Sequence, residues 1–462
     1  MAFLDCVVLN AVFLFILLIR PDVAIEKFPV LDVVGWFLIL NLLWFPIASA
    51  FDVYDIGVAG NLMSIAEAIA KAGLLTMGVY LLLPYLTPGL PDARRFLFLM
   101  ILLPTATLIL ERGLYIFLLG SSNLKRRVLI YGAGWAGKTL AQAMLENEDI
   151  TYQLVGFIDD KPALAGAEIR FPELEFEAED QEKNGVKVVG NGENLTELIA
   201  RYQIHTVVLA ITNDLNGEIL KHVTDCLALG IEVLPMPVLY EQITGKIPVQ
   251  HVGNHWNVSM PIEHSGTGAI RPFIKRVFDI VSAGLGMLFL GIAFPLIALA
   301  IYVDSPGPIF YRQTRVGRAG ELFRVYKFRS MVPNAEENGA VWARKNDHRV
   351  TRVGKILRAT HLDEFPQFIN ILKGEMSAVG PRPERPEFVK DLTQEIPFYR
   401  VRHAVKPGMA GWGLVNQGYG SSREDAMVKL QYDLYYIKHQ SLWLDIVVLL
   451  KTIIDTVTFR GR

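Results

Sequence analysis

The sequence predicts a multidomain membrane protein: an N-terminal four-helix transmembrane bundle, an α/β Rossmann-like domain, and a C-terminal, mainly α domain that carries a re-entrant membrane helix. Three observations predict it. The 462 residues are 52% hydrophobic, more than a soluble globule carries. Apolar stretches of membrane-crossing length fall in two groups, four before residue 122 and one after residue 270. Between the groups, β-rich runs alternate with helical ones.

Residues 2–19, 30–50, 62–83 and 96–119 are each mostly apolar and about long enough to cross a hydrocarbon core of roughly 30 Å as a helix, which gives residues 1–122 to four spans. The first lacks a basic n-region and a small-residue cleavage site, so a retained anchor is expected rather than a removed signal peptide. Lys125, Arg126 and Arg127 after the fourth span argue for a cytoplasmic C-terminal side, while Arg20, Lys27, Arg94 and Arg95 fall in the loops this places outside. No charge pair marking a transport path is expected inside the helices, Glu67 and Glu111 being the nearest exceptions, and the bundle reads as an anchor.

Residues 126–250 hold strand runs at Val128–Tyr131, Leu154–Ile158, Thr206–Ile211 and Ile231–Pro235, the pattern of a parallel sheet, with a solvated acidic loop from Glu173 to Glu182. Between the first strand and helix lies Gly132-Ala-Gly134-Trp-Ala-Gly137-Lys138-Thr139, which fits two phosphate-binding patterns. As a dinucleotide turn, Gly132, Gly134 and Gly137 aim backbone N–H groups at a pyrophosphate, and Asp159 or Asp160 takes a ribose hydroxyl. As a P-loop it would pair with Phe157-Ile158-Asp159 as the metal-binding strand end. The glycine at Gly134 and the short interval to Asp159 favour the dinucleotide turn. Residues 125–260 lack the Tyr-x-x-x-Lys pair of a nicotinamide-dependent dehydratase, so a structural or regulatory domain with a nucleotide of unsettled identity stands beside the cofactor reading.

A net charge of −2 gives no general basicity for nucleic acid. Cys6 and Cys226 have neither disulfide-framework nor zinc spacing. His251, His255 and His264 lie in a linker, residues 251–272, without a carboxylate or thiol partner for a metal.

The last domain, residues 273–462, begins with an apolar segment, 277–303. Arg271, Lys275 and Arg276 precede it and Arg312, Arg315, Arg318 and Arg324 follow it, so re-entry keeps both basic clusters on one side, where a straight crossing would strand one. Pro295 supplies a break, because it frees the carbonyl of Gly291. Further on stand Arg358-Ala-Thr-His-Leu-Asp363-Glu364-Phe-Pro366-Gln367, Gly380-Pro-Arg382-Pro383 and Lys406-Pro-Gly-Met-Ala-Gly-Trp412. Pro366 suits the first turn of a helix through Leu372, which puts Asp363 and Glu364 at its N-terminus, where carboxylates ionise readily. One acid is then free to attack phosphorus and the other to hold a divalent cation. An ordinary helix cap is the alternative, but Arg358 and Arg382 match phosphate oxygens and would repel one another without anions between them.

These motifs resemble the monotopic phosphoglycosyl transferases, bacterial sugar transferases of which the large members share this order of modules. The Lys-Arg-x-Phe-Asp start is similar to Lys275–Asp279, Leu-Asp-Glu-x-Pro-Gln to Leu362–Gln367, and Gly-Pro-Arg-Pro and Lys-Pro-Gly-x-x-Gly-Trp to the two later runs. The resemblance implies that Asp363 attacks the sugar-bearing phosphate of a UDP-sugar, a hexose such as glucose or galactose, that UMP leaves, and that undecaprenyl phosphate, a polyprenyl phosphate, takes the phosphosugar. It implies Mg²⁺ on Glu364, phosphate contacts from Arg358 and Arg382, and weaker ones from Lys327, Arg329 and Lys406. It further implies a catalytic domain on the cytoplasmic face of the bacterial inner membrane, downstream glycosyltransferases as partners, a homo-oligomer, and a first membrane step in exopolysaccharide, capsule or O-antigen synthesis. From the residues alone the roles of Asp363 and Glu364 are interchangeable.

Two departures stand out. The Ser-Pro usual at the bend is Gly291-Ile292 here, and Val415-Asn-Gln-Gly-Tyr-Gly420 lacks the Gly-Arg-Asn of many relatives. The stretch Leu442–Phe459 suits an interfacial helix or a packed core helix equally. A nucleotide-sugar dehydratase or epimerase would leave the acid and arginine clusters without a role, and a nucleotide-sugar-sensing scaffold would leave Asp363 dispensable.

Overall fold

The computed structural model describes residues 1–23, 28–55, 62–119, 125–146, 152–171, 185–211, 217–251, 270–333, 335, 347–417 and 422–458. The acidic loop, His255 and His264 lie outside the described residues. The chain forms two compact units, one running to Gly245 and one holding Lys246–Gln250 and the chain from Ile270 onward.

In the first unit, α1 (Ala2–Ile19), α2 (Val30–Ala50), α3 (Leu62–Leu81) and α4 (Arg94–Leu119) are long and apolar enough to cross a membrane. They pack through aromatic contacts, with the Phe13 ring edge-on to Phe37 and Tyr80 at 5.4 Å each, and leave Phe3, Leu31 and Phe117 exposed as lipid-facing residues would be. A charge pair does lie within them, against expectation. Arg112 of α4 donates to Asp5 of α1 at 2.8 and 3.0 Å, both side chains buried. Tyr54 adds a bond of 2.7 Å to Asp5, and Glu111 lies 3.2 Å from Arg112. A buried guanidinium needs such partners, because each unpaired ion would cost several kcal/mol, on the order of the desolvation penalty. Glu67 sits on the surface and pairs with Lys71 one turn on.

The rest of that unit is a six-stranded sheet of order β3-β4-β2-β1-β5-β6, formed by β1 (Arg126–Tyr131), β2 (Tyr152–Ile158), β3 (Glu168–Arg170), β4 (Gly185–Gly190), β5 (Thr206–Leu209) and β6 (Glu232–Pro235). All pairs are parallel except β3 on β4. The helices α5 (Trp135–Glu146), α6 (Leu195–Tyr202), α7 (Gly217–Ala228) and α8 (Met236–Thr244) accompany it. The three glycines of the turn do three different things. Gly132 turns the chain at φ +111°, a Cβ on Gly137 would overlap the Gly132 carbonyl oxygen, and Gly134 faces open space. The turn thus combines a tight bend, close helix–strand packing and one open position.

The second unit is mainly helical, as expected. It contains α9 (Ile270–Asp304), the hairpin of β7 (Phe310–Val316) and β8 (Leu322–Phe328), α10 (Arg352–Ala359), α11 (Phe368–Lys373), β9 (Ser377–Val379), α12 (Pro386–Glu395), β10 (Gly408–Ala410), α13 (Trp412–Gln417), α14 (Arg423–His439) and α15 (Leu442–Val457). Its core gathers Ile371, Met376, Leu430, Leu434 and Val448 around the parallel pair β9–β10. Ile247 belongs to this core and donates its backbone N–H to Gln431 at 3.1 Å.

The apolar helix α9 runs 35 residues and stays helical through Gly291 and Pro295, so the break expected at the proline is absent. One missing backbone bond is a small loss in a helix this long. Both its ends are fastened to the same domain. Near the start, Lys275 meets Asp445 at 2.8 Å and the Val379 carbonyl at 3.2 Å, while Asp279 accepts from Ser377 Oγ and the Ala378 N–H. At the far end Asp304 accepts the Val353 N–H at 2.8 Å. Leu285, Leu288, Ile292, Leu296 and Val303 remain exposed along it. The last helix, α15, buries Asp445, Val447 and Val448 and exposes Leu442, Trp443 and Ile453, so one face is core and the other is not.

Candidate active site

Asp363 and Glu364 lie in a 3-10 turn, Leu362–Gln367, with Pro366 inside it, and the α-helix begins only at Phe368. The acids thus stand at the N-terminal side of that helix, as expected, but Pro366 lies in the 3-10 turn before it and not in its first α-helical turn. His361 enters the turn in the left-handed region, φ 54°, and its carbonyl accepts the Glu364 N–H at 3.1 Å. The neighbouring Phe365 packs between Phe289 of α9 and Phe368, with ring centroids 5.6 and 5.4 Å away. Burial of that ring pins the acids against the flank of the apolar helix.

The two carboxylates differ sharply in their surroundings. Glu364 accepts from Lys327 Nζ at 2.7 Å, from Arg382 Nη1 at 3.1 Å, and from Arg382 Nη2. Asp363 is equally buried, 8% exposed against 6%, yet it accepts no hydrogen bond among the described residues. Burial works to raise Glu364, but Arg382 and Lys327 outweigh it and hold the carboxyl well below the usual range. For Asp363, burial and then the Glu364 charge push the carboxyl up to about 6, with Lys327, Arg358 and Arg382 opposing. The expectation that both acids ionise readily thus holds for Glu364 alone, because only Glu364 has bonded cations to offset desolvation. Burial likewise lowers Lys327 and His361.

The predicted cations separate into two groups. Lys327 on β8 and Arg382 hold Glu364, and Arg358, half-buried on the last turn of α10, makes no side-chain hydrogen bond or ion pair among the described residues while its charge acts on Asp363. The other two lie elsewhere. Arg329 is committed to the carbonyls of Ser305 and Pro306, and the charges acting on Lys406 are Arg276, Asp279 and Arg318. The Arg382 turn is set by glycine packing, since a Cβ on Gly380 would come within 2.5 Å of the Lys406 carbonyl oxygen and one on Gly408 would overlap the Gly380 N–H. The motif Gly-Pro-Arg-Pro and the motif Lys-Pro-Gly are thus two sides of one backbone contact. Sequence reasoning missed Arg315, which donates to the Pro383 carbonyl at 3.0 Å, and Arg402, which lies behind Arg382. Neither has a sequence signal beyond being one more arginine.

In the sheet domain, Asp159 accepts the Ala133 N–H at 2.8 Å and the Lys161 N–H at 3.0 Å, bracing the glycine turn. Asp160 accepts the Tyr131 hydroxyl and the Gly192 N–H, each at 2.8 Å.

Residues 270–459 match the sequence model of the bacterial sugar transferase family, and residues 49–237 that of a CoA-binding domain. Among characterised proteins, the chain is 41% identical over 250 residues to a UDP-N-acetylgalactosamine-undecaprenyl-phosphate N-acetylgalactosaminephosphotransferase of Aeromonas hydrophila, covering 54% of this chain and 58% of that one. It is 34% identical to a UDP-glucose:undecaprenyl-phosphate glucose-1-phosphate transferase of Escherichia coli K12, covering 71% of this chain and 67% of that one. An undecaprenyl-phosphate galactose phosphotransferase of Salmonella typhimurium is 29% identical over the same shares. A crystal structure of RSP with NAD⁺ and operator DNA overlaps 28% of this chain and 49% of that one at TM-score 0.20 and 21% identity, too little to carry an argument. The acid pair and its cations sit beside a helix of membrane-crossing length. The chain belongs to the bacterial sugar transferase family.

Proposed function

We propose that the protein moves a sugar 1-phosphate from a UDP-sugar to undecaprenyl phosphate and releases UMP. The observation that carries this reading is the asymmetry of the acid pair. Glu364 is clamped by Lys327 and Arg382, and Asp363 keeps its lone pairs free beside them. That gives the two acids distinct roles, with Asp363 the nucleophile. A carboxylate oxygen of Asp363 attacks the sugar-bearing phosphorus, the bond from that phosphorus to the bridging oxygen breaks, and UMP departs with the electron pair. An oxygen of the polyprenyl phosphate then attacks the same phosphorus, and the bond to Asp363 breaks to restore the carboxylate. Lys327, Arg358 and Arg382 surround the charge that gathers on the phosphoryl oxygens.

The donor chemistry fits Mg²⁺. That ion takes one or two carboxylates together with waters and substrate phosphates, and among the described residues Glu364 Oε2 carries a single bond of 3.1 Å. Glu364 would hold it, and the ion would supply charge neutralisation of the diphosphate.

Placement at the bilayer follows from α9. Its two ends, at Lys275–Asp279 and at Asp304, fasten to one domain, which supports a helix held at the cytoplasmic face of the inner membrane over one that crosses it, while α1 to α4 span the bilayer. A lipid phosphate and a soluble nucleotide then meet at one interface, and the lipid-linked sugar is left for a glycosyltransferase to extend. The glycine turn of the sheet domain suits a nucleotide, with Gly134 open to it. UMP release from a panel of UDP-sugars with undecaprenyl phosphate and Mg²⁺ tests the reading. Turnover with at least one sugar, abolished by Asp363→Asn, supports it, and undiminished turnover in that variant overturns it.

A further inference from the structure

Behind the Arg382 turn lies a buried polar cluster that touches neither acid. The Arg402 guanidinium donates to the backbone carbonyl of Arg382 at 3.0 Å, to Asp433 of α14 at 2.8 Å and to the Tyr399 hydroxyl at 2.5 Å. Arg402, Asp433 and Tyr399 are all buried. Burying an ion pair is weak as a device for stability, because desolvation of both ions offsets most of their attraction. It does fix geometry, since a planar guanidinium fork ties several groups at set angles.

The groups it ties form a line into the site. Asp433 belongs to the long helix α14, anchored in the core by Leu430, Leu434 and Tyr436. Arg402 joins that helix to the Arg382 carbonyl, and the Arg382 side chain clamps Glu364, the residue next to Asp363. Arg315 holds the following carbonyl, that of Pro383, from the other side. Two carbonyls in succession are therefore taken by guanidinium groups, while the Arg382 side chain bonds Glu364.

We infer that Arg402, held by Asp433 and Tyr399, is a positioning residue for phosphosugar transfer: it aims Arg382 at Glu364 by fixing the backbone from which Arg382 springs. The inference rests on the transferase reading. A lysine at 402 keeps the charge and the Asp433 contact but supplies a point donor where the fork serves three partners, so the Arg382 turn loses its hold.

The test is a double-mutant cycle on the full chain in detergent, with UDP-sugar alone and Mg²⁺, reading the rate constant of the UMP burst per labelled molecule. Arg402→Lys is expected to lower that rate constant about 10–100-fold, the range for residues that orient a ligand-holding group, with the KM for undecaprenyl phosphate unchanged. In an Arg382→Lys background the same change is expected to cost less than about twofold, because its route to the acids is already gone. Additive losses in the two backgrounds overturn the inference, as does a burst that shrinks in amplitude at an unchanged rate constant. Should Arg402→Lys fail to fold, Asp433→Asn, which leaves an acceptor for Arg402, carries the same cycle. Absence of any burst in the unaltered protein refutes the covalent step of the transferase reading instead, so the two failures are distinguishable.

Discussion

Replacing Asp363 by alanine should make the protein more stable at neutral pH. Asp363 is a buried carboxylate with no hydrogen bond among the described residues, pushed up from 3.8 to about 6 by burial and by Glu364. A folded-state value above the unfolded one means the ionised carboxylate opposes folding. The penalty is complete above about 6 and gone below the unfolded value of 3.8. Two pKa units correspond to roughly 3 kcal/mol at pH 7.5 as an upper bound, at about 1.4 kcal/mol per unit. For a domain of this size that is a rise of up to about 6–12 °C in melting temperature, reduced by the small cavity the alanine leaves. The assay is thermal unfolding of metal-free protein in detergent at pH 7.5 and again near pH 4. The variant should melt higher at pH 7.5, and the difference should shrink as pH falls through 6. A variant that melts lower at both pH values would show that Asp363 serves packing, and the picture of a buried, uncompensated carboxylate would fail.

Other outcomes follow from the same contacts. Lys327→Met leaves Glu364 with Arg382 alone, and the UMP burst should slow by at least about tenfold, read in single turnover. Asp5→Asn removes the main partner of buried Arg112. It should cost up to about 3–5 kcal/mol in the unfolding transition of the helices, while the burst rate per folded molecule stays unchanged; slower chemistry would give that pair a role beyond anchoring. Gly137→Ala puts a methyl into the Gly132 carbonyl and should destabilise the sheet domain, seen as a separate early melting transition, with transferase activity retained.

What the sequence displays is what neighbours in the chain decide. The four N-terminal helices lie within two residues of the apolar stretches because length and composition set them, and the strand–glycine–helix turn at Gly132 follows from local backbone needs. Long-range pairing is invisible at that level. Arg112 reads as one charge in an apolar run until folding brings it to Asp5, and Arg402 reads as one arginine among many until it meets Asp433. The acid pair shows the same limit. Its residue types and the cations around it were legible, but the 3-10 turn and the pairing of Glu364 with Lys327 and Arg382 depend on β8 and the Gly380–Pro383 turn. That pairing separates the two acids, which the residues alone left interchangeable. The opening Lys275–Asp279 motif looked like the edge of a membrane segment and serves as the lock that ties α9 to Asp445, Ser377 and Val379.

The central claim is that Asp363 carries the phosphosugar, and peptide mass mapping tests it most directly. Protein mixed with UDP-sugar and Mg²⁺, without lipid, should be quenched and digested. A hexose-phosphate mass is expected on the peptide containing Asp363, discharged on adding undecaprenyl phosphate and missing from Asp363→Asn. A protein that releases UMP only when the lipid phosphate is present, or that carries the adduct on Glu364, would contradict it.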